Sequence, residues 1–148
     1  MKVKKTISSI GFLLVMILII SGCQKKKRDN YLTFYQAVNG KDTAVLGIGK
    51  NKNRFFGNYQ IFYNGRAVKD SGVVDGEIKG DTLRGKFKYR TYGGGVNIIP
   101  IIFLKRNGTL ISGKGVAASF MNLVYFMPEY PIEFENPDFV FKKVDTIK

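Results

Sequence analysis

The fold of this chain is decided in residues 76–89, Gly-Glu-Ile-Lys-Gly-Asp-Thr-Leu-Arg-Gly-Lys-Phe-Lys-Tyr. Gly80-Asp81 is a turn signal, and after it basic residues alternate strictly with uncharged residues. One face takes the basic residues Arg84, Lys86, Lys88 and Arg90, and the other takes Gly85, Phe87, Tyr89 and Thr91. A period of two residues is typical of a β-strand that packs one face and exposes the other. The stretch therefore predicts a β-hairpin.

The same pattern continues on both sides of this hairpin. Segments rich in Tyr, Phe, Ile, Val and Thr are separated by further turn signals, Asn39-Gly40, Asn51-Lys52-Asn53, Asn64-Gly65, Gly93-Gly94-Gly95, Asn107-Gly108 and Asn136-Pro137. We predict about eight strands, near 31–38, 43–50, 54–63, 67–78, 83–92, 97–105, 109–117 and 138–144. Short, evenly spaced strands predict an all-β fold, an antiparallel meander that closes into a small barrel or folds as a sandwich. We favour the barrel.

Two segments depart from the alternation. Residues 98–104 are apolar on both faces, so we expect something other than water to cover the outer face. Pro100 within this segment predicts an edge position or a bulge. Residues 117–135 have no clean period, and we predict a long irregular connection with a helical turn at 118–126. Packing of this apolar connection over 98–104 would account for both departures.

The N-terminus has the three parts of a secretory signal. Lys2, Lys4 and Lys5 precede an apolar run over 10–20, and small residues follow it. The run spans roughly 17 Å as a helix, short of the ~30 Å hydrocarbon core. Ile20-Ser21-Gly22-Cys23 resembles the lipobox of bacterial lipoproteins. This resemblance implies a signal helix removed after Gly22 and acyl chains attached to Cys23, which anchor the protein stably. An ordinary signal peptide with an unmodified cysteine, or an uncleaved anchor, is the alternative.

Removal of the signal leaves residues 23–148 and lowers the formal charge from +13 to +10. We divide the chain into a signal peptide (1–22), a basic lipidated tether (23–30) and one barrel-like domain (31–148). The tether run, 25–28, is suited either to anionic headgroups or to simple solvation. Cys23 is the only cysteine, so no disulfide forms within the domain, and histidine is absent. The commonest general base and metal ligand is therefore missing, and we expect no cofactor and no metal.

A second likeness lies in the hairpin itself. Gly76-x-Ile78-x-Gly80-Asp81-Thr82-Leu83-x-Gly85-x-Phe87 is similar to the central hairpin of small β-barrel lipoproteins of Bacteroidetes-type bacteria. Residues 103–106 and 139–144 are similar to later strands of those proteins. The likeness covers about half of the mature chain (23–148) and supports the fold and the cellular location only. Those proteins have no assigned activity that it would imply here.

The basic face Arg84, Lys86, Lys88 and Arg90 is the strongest candidate site. It forms a stripe about 20 Å long that suits anionic lipid or polysaccharide phosphate. Alternatively, it only keeps the sheet from pairing edge to edge with another sheet. For the other candidates we prefer a structural interpretation. The acidic residues belong to a solvated loop (Glu129, Glu133, Glu135 and Asp138), and Gly93-Gly94-Gly95 forms a hairpin turn. Ser112 and Lys114 face solvent, and aromatic side chains fill the barrel interior (Tyr59, Tyr63, Phe87 and Tyr89).

These observations predict a lipid-anchored protein of the bacterial cell envelope, most simply in the outer membrane, facing the periplasm or the surface. We expect a structural or ligand-binding module without enzymatic activity. Its expected partners are the membrane, through lipid on Cys23, and anionic lipid or polysaccharide, with no nucleic acid. The alternative is an inhibitor-type protein or a hydrolase of envelope polymers. Without histidine, such a hydrolase would rely on carboxylates or a Ser-Lys pair.

Overall fold

A computed structural model describes residues 32–145, which form ten β-strands and no helix within that range. The strand bounds are β1 Thr33–Asn39, β2 Asp42–Asn51, β3 Arg54–Tyr63, β4 Val68–Lys79, β5 Thr82–Arg90, β6 Val96–Arg106, β7 Thr109–Ser112, β8 Ala117–Phe120, β9 Leu123–Phe126 and β10 Val140–Val144. Eight of them form a closed antiparallel barrel in the order β1-β10-β7-β6-β5-β4-β3-β2. The predicted all-β barrel of about eight strands is confirmed.

The two remaining strands correct the sequence prediction. The helical turn expected at 118–126 is wrong, because β8 and β9 form an antiparallel hairpin there. Met121 and Asn122, the two residues of its tight turn, both have positive φ. Such a turn matches the twist of paired strands. The absence of clean alternation misled the prediction, since both faces of this hairpin carry apolar side chains.

Glycines on the inner wall let neighbouring strands approach closely. A Cβ built on Gly85 would lie 2.1 Å from the carbonyl oxygen of Asp75, and one on Gly72 would lie 2.0 Å from that of Lys88. Both obstacles are backbone atoms, which cannot rotate away. Gly76, the cross-strand partner of Gly85, is blocked in the same way by the Arg84 carbonyl. Strands that bend tightly around a narrow barrel therefore need glycine at these positions.

Aromatic rings fill the interior. Tyr59 lies 4.6 Å from Phe87, centroid to centroid, and meets Phe103 and Phe141 edge to face. Tyr89 stacks on Phe87 nearer one end of the barrel. Among residues 32–145, no buried side-chain nitrogen or oxygen lacks a hydrogen-bond partner. Because these rings pack against one another and all but Tyr89 are buried, the predicted filled core is confirmed for the middle of the barrel, where an eight-stranded wall leaves room for side chains only.

Strand β6 is paired on both sides over only part of its length. It pairs with β5 from Val96 to Leu104, whereas β7 begins to pair with it only at Phe103. The Gly113 amide donates to the Ile102 carbonyl at 2.9 Å, which shows that Ile102 directs its polar groups toward β7. Pro100, two residues earlier, directs its nitrogen to the same side, where no strand is bonded. The predicted edge position of Pro100 is confirmed, and its missing N–H is not needed there.

The chain between β7 and β10 folds back over the outer face of β6. Ile102 points outward on β6, yet only 4% of it is exposed. Ile132 and Phe134 lie against it beside Gly113. The apolar outer face of 98–104 is therefore covered by this connection in its second half, as expected, while Ile98 remains partly exposed.

The predicted signal helix (1–22), Cys23 and the tether (23–30) lie outside the described residues. Within 32–145, no helix is long and apolar enough to cross a membrane.

Candidate functional site

The basic stripe lies on the outer wall of the barrel, along β5. Its four side chains are exposed and alternate with the inward-facing Leu83, Gly85, Phe87 and Tyr89. Their cross-strand neighbours on β4 differ along the strand. Glu77 is the partner of Arg84 and Asp75 the partner of Lys86, whereas Val73 and Ser71 are the partners of Lys88 and Arg90. The stripe is therefore divided into a half beside carboxylates and a half without them.

Ion pairs occupy most of the charges in the first half. Asp75 lies 3.9 Å from the Lys86 ammonium and 3.7 Å from the Arg54 guanidinium. Glu77 lies 3.7 Å from Lys79. All of these side chains are well exposed, so each pair contributes little stability and exchanges readily with an outside anion. Within the described range, Arg84 has no carboxylate within 4 Å, so it is the cation of this half that is most available to a ligand.

This first half of the stripe faces the β8–β9 hairpin across a groove of about 680 Å³. Arg84 and Lys86 line the groove, and Lys88 and Arg90 do not. The opposite side and the floor are apolar. They are formed by side chains of β6, of β9 and of the segment after the hairpin, Pro100, Ile102, Val124, Tyr125, Phe126, Ile132 and Phe134.

Two glycines just after β7 position the apolar side. A Cβ on Gly113 would lie 2.6 Å from the Phe134 ring and 2.8 Å from Ile132, and one on Gly115 would lie 2.5 Å from Ile132. The segment after the hairpin therefore runs directly beside the glycine backbone. Paired backbone hydrogen bonds between Lys114 and Glu133, at 2.8 and 2.9 Å, hold it there. The Met127 amide also donates to the Val116 carbonyl at 2.8 Å and closes the base of the hairpin.

The groove has the size and the polarity of a site for a small amphiphile. Its volume lies within the range of about 300–1,000 Å³ that is usual for small-molecule sites. Four cations, Arg54, Lys79, Arg84 and Lys86, line it with two carboxylates, Asp75 and Glu77. The surplus of positive charge stands opposite an apolar surface. An anionic head on Arg84 and an apolar tail against Ile132 and Phe134 would use both sides.

A second cavity, of about 350 Å³, opens at the end of the barrel beside the unpaired part of β6. Five of its six polar side chains, Asn39, Asp42, Tyr63, Ser112 and Asp138, have bonding partners within the protein. The Asp42 carboxylate accepts from the Asn64 amide at 2.9 Å, and the Asp138 carboxylate contacts Lys114 at 2.8 Å. Burial, with smaller contributions from Tyr63 and Asp138, raises the pKa of Tyr59 far above its usual range. Groups committed in this way stabilise the barrel end and leave little for a ligand.

The remaining sequence candidates have structural partners. The Ser112 hydroxyl accepts from the Phe139 amide at 2.9 Å, and Lys114 holds Asp138, so each member of the proposed Ser-Lys pair is engaged elsewhere. Glu129, Glu133, Glu135 and Asp138 are exposed on the connection, as the solvated-loop interpretation predicts, and no three metal-ligating side chains converge anywhere in 32–145. Gly93-Gly94-Gly95 forms the turn between β5 and β6, which confirms that prediction.

Strand alternation alone pointed to Arg84 and Lys86, whereas no sequence pattern pointed to the apolar side of the groove. Ile132 and Phe134 lie about thirty residues from Ile102 in sequence, and no local period links them to the stripe. The spacing Gly113-x-Gly115 was the one available signal of close packing, because glycines on one face of an extended segment admit a neighbouring chain.

Comparisons with family models, with curated proteins and with solved structures found no match to this chain.

Proposed function

We propose that this protein is a lipid-anchored, non-enzymatic binding protein of the bacterial cell envelope that holds an anionic amphiphile in its outer groove. The observation that carries the binding proposal is the opposition of Arg84 and Lys86 to the apolar side chains of the hairpin connection. The anchoring proposal is supported by the lipobox-like Ile20-Ser21-Gly22-Cys23 at signal-peptide spacing.

A side-wall site suits a small barrel whose middle is packed. The aromatic rings around Tyr59 and Phe87 pack the middle of the barrel, so we expect a ligand to bind outside them. The outer groove supplies what a packed interior cannot: exposed cations that exchange their partners, and an apolar surface already assembled. Ligands with a phosphate or carboxylate head and a short alkyl tail fit this combination, and acyl lipids and their fragments have that chemistry.

Three probes separate the contributions of the two sides. Hexyl phosphate carries both a charged head and a tail, hexanol carries only the tail, and inorganic phosphate carries only the head. We expect the full chain, held in phosphatidylcholine nanodiscs, to bind hexyl phosphate more tightly than either of the others in isothermal titration calorimetry. Equal affinity for hexyl phosphate and inorganic phosphate would exclude the apolar side from the site.

The stripe offers a matched pair of variants. Arg84→Gln with Lys86→Gln removes two charges inside the groove, and Lys88→Gln with Arg90→Gln removes two charges from the same face of the same strand outside it. We expect the first variant to lose about tenfold in affinity for hexyl phosphate, or about 1.4 kcal/mol. The second should change it by less than about twofold, because screening over roughly 8 Å weakens distant charges. Equal losses of affinity in the two variants would show that hexyl phosphate responds to the overall basic surface and not to the groove.

The anchor is tested separately. Mass spectrometry of the protein recovered from membranes should show acyl mass on Cys23, and Cys23→Ser should leave the precursor unprocessed or released. An unmodified Cys23 in the membrane-bound protein would end the anchoring proposal without affecting the groove.

A further inference from the structure

The described chain enters the barrel at one end, and three of the turns between strands lie at that same end. Strand β1 runs from Thr33 to the β1–β2 turn after Asn39, which lies at the opposite end. Because the strands alternate in direction, the β2–β3, β4–β5 and β6–β7 turns return to the end where the chain enters. Phe141 of β10 pairs with Leu110, so the residues after it continue beside the β6–β7 turn. We call this surface, residues 50–54, 79–82, 105–108 and 142–145, the entry end.

The entry end is strongly basic. It carries eight exposed cations, Lys50, Lys52, Arg54, Lys79, Lys105, Arg106, Lys142 and Lys143, against two carboxylates, Asp81 and Asp145. The turns at the far end carry four cations, Lys41, Arg66, Lys69 and Arg90, against the carboxylates of Asp42 and Asp70, with the Asp138 backbone bonded to Asn39 beside them. The positive charge of the described chain is therefore concentrated at one end, although no single stretch of sequence is unusually basic.

Few of these cations have acidic partners. Among residues 32–145, ion pairs within 4 Å engage only two of the eight, Arg54 with Asp75 and Lys79 with Glu77. The other six lie on turns or strand ends with no carboxylate at that distance within the described range. Holding so many like charges on one small surface raises the repulsion among them. An anionic partner would relieve it.

The chain that precedes Leu32 starts from this same end. Its tether, residues 23–30, contains the basic run 25–28 and can extend no more than about 29 Å. An anchor at Cys23 would therefore hold the entry end near lipid headgroups. We propose that the entry end is the surface by which the barrel docks onto the anionic headgroups of its own membrane. The choice of this partner rests on the proposed anchoring, whereas the concentration of charge does not.

This docking would orient the protein. The barrel axis would stand away from the membrane and the far end would point outward. The groove beside β5 shares Arg54 and Lys79 with the entry end, so it would open to the side, close to the headgroups. The apolar tip of the β8–β9 hairpin, where Met121 is 81% exposed, is the competing candidate for the membrane-facing surface.

Lysine footprinting distinguishes the two orientations. The full chain, recovered from membranes, is reconstituted on vesicles of phosphatidylcholine alone or with phosphatidylglycerol, and the acetylation rate of each lysine is measured by mass spectrometry. On the anionic vesicles we expect Lys52, Lys105 and Lys143 to react about fivefold more slowly than on neutral ones, equivalent to about 1 kcal/mol per ammonium. Lys41, Lys69 and Lys114 should be unchanged in the same molecules.

Charge-matched variants give the control. Lys52→Gln, Lys105→Gln and Lys143→Gln together should abolish the slower reaction of the remaining entry-end lysines, Lys50, Lys79 and Lys142. Lys41→Gln, Lys69→Gln and Lys88→Gln together remove the same charge elsewhere and should preserve it. The effect should also vanish in about 1 M salt, where the screening length is about 3 Å.

Several outcomes would overturn the docking proposal. They are equal protection of both ends, protection of Lys114 beside the hairpin in place of the entry end, and identical footprints on the two kinds of vesicle. The anchoring proposal fails differently, by loss of attachment to neutral vesicles at high salt. In that event, slower reaction of the entry-end lysines on anionic vesicles at low salt still supports docking, and its absence refutes it.

Discussion

Replacing Gly85 by alanine tests the close approach of strands on the inner wall. The added methyl carbon would lie 2.1 Å from the Asp75 carbonyl oxygen and 2.8 Å from the Gly76 Cα, where ordinary contacts begin at 3.4 Å. Strands β4 and β5 would have to separate by about 1 Å at this point, because neither obstacle can rotate away.

The expected cost follows from three contributions. Overpacking of this kind costs roughly 1–3 kcal/mol, and two stretched ladder hydrogen bonds add about 0.5–1.5 kcal/mol each. Alanine also restricts the unfolded chain, which returns about 0.4–1 kcal/mol. We therefore expect a loss of about 2–4 kcal/mol, a large share of the roughly 5–15 kcal/mol that stabilises a typical domain. Urea unfolding followed by circular dichroism should show a midpoint lower by about 1–2 M.

Two other glycines calibrate this measurement. Gly93 lies in the β5–β6 turn with open space around its Cβ position, so Gly93→Ala should be neutral or slightly stabilising. A Cβ on Gly49 would meet only side chains, the Phe56 ring at 2.6 Å and a Leu32 methyl carbon at 3.1 Å, and these can move. Gly49→Ala should therefore fall between the other two. Equal midpoints for the Gly85 and Gly93 variants would refute the argument that backbone proximity requires glycine on the inner wall.

Two further predictions concern the barrel end and the covered outer wall. The pKa of the Tyr63 hydroxyl is raised to about 12. Burial is the larger cause, and the Asp70 carboxylate, 3.2 Å from the hydroxyl, is the second. Folding thus favours the protonated phenol. The stability gained is complete below pH 10 and is lost as the pH rises from 10 to about 12. Asp70→Asn should lower the phenolate midpoint in an ultraviolet titration, and an unchanged midpoint would contradict the assigned contribution of Asp70. Ile102→Ala should cost about 2–5 kcal/mol because the connection buries its side chain, whereas Ile98→Ala on the same face of β6 should cost less than about 1 kcal/mol, since Ile98 is partly exposed. Similar losses would show that the connection does not cover Ile102 in solution.

Local pattern was sufficient for the barrel itself. In an antiparallel meander each strand pairs with its neighbour in sequence, so alternation and turn residues carry most of the information. The central hairpin, the two-residue turns and the inward glycines could all be inferred from adjacent positions. Pro100 also predicted an edge position or a bulge in β6, and the edge position is the one observed, because a residue without an N–H is tolerated where no partner strand is bonded.

Contacts between distant segments were decided only in three dimensions. The fold of residues 113–135 depends on Ile102 lying beneath Ile132 and Phe134, and an apolar stretch with no period does not reveal which surface it covers. The division of the basic stripe depends on the register of β4, which brings Asp75 and Glu77 beside Lys86 and Arg84 only.

The basic entry end illustrates the same limit. Its eight cations come from four separate turns and strand ends, each unremarkable in the sequence. A strand pattern specifies which face a side chain takes, because that depends on neighbours one or two residues away. Which ends and faces come together depends on the closure of the whole sheet, so the outer groove and the charged end emerge only from the tertiary structure.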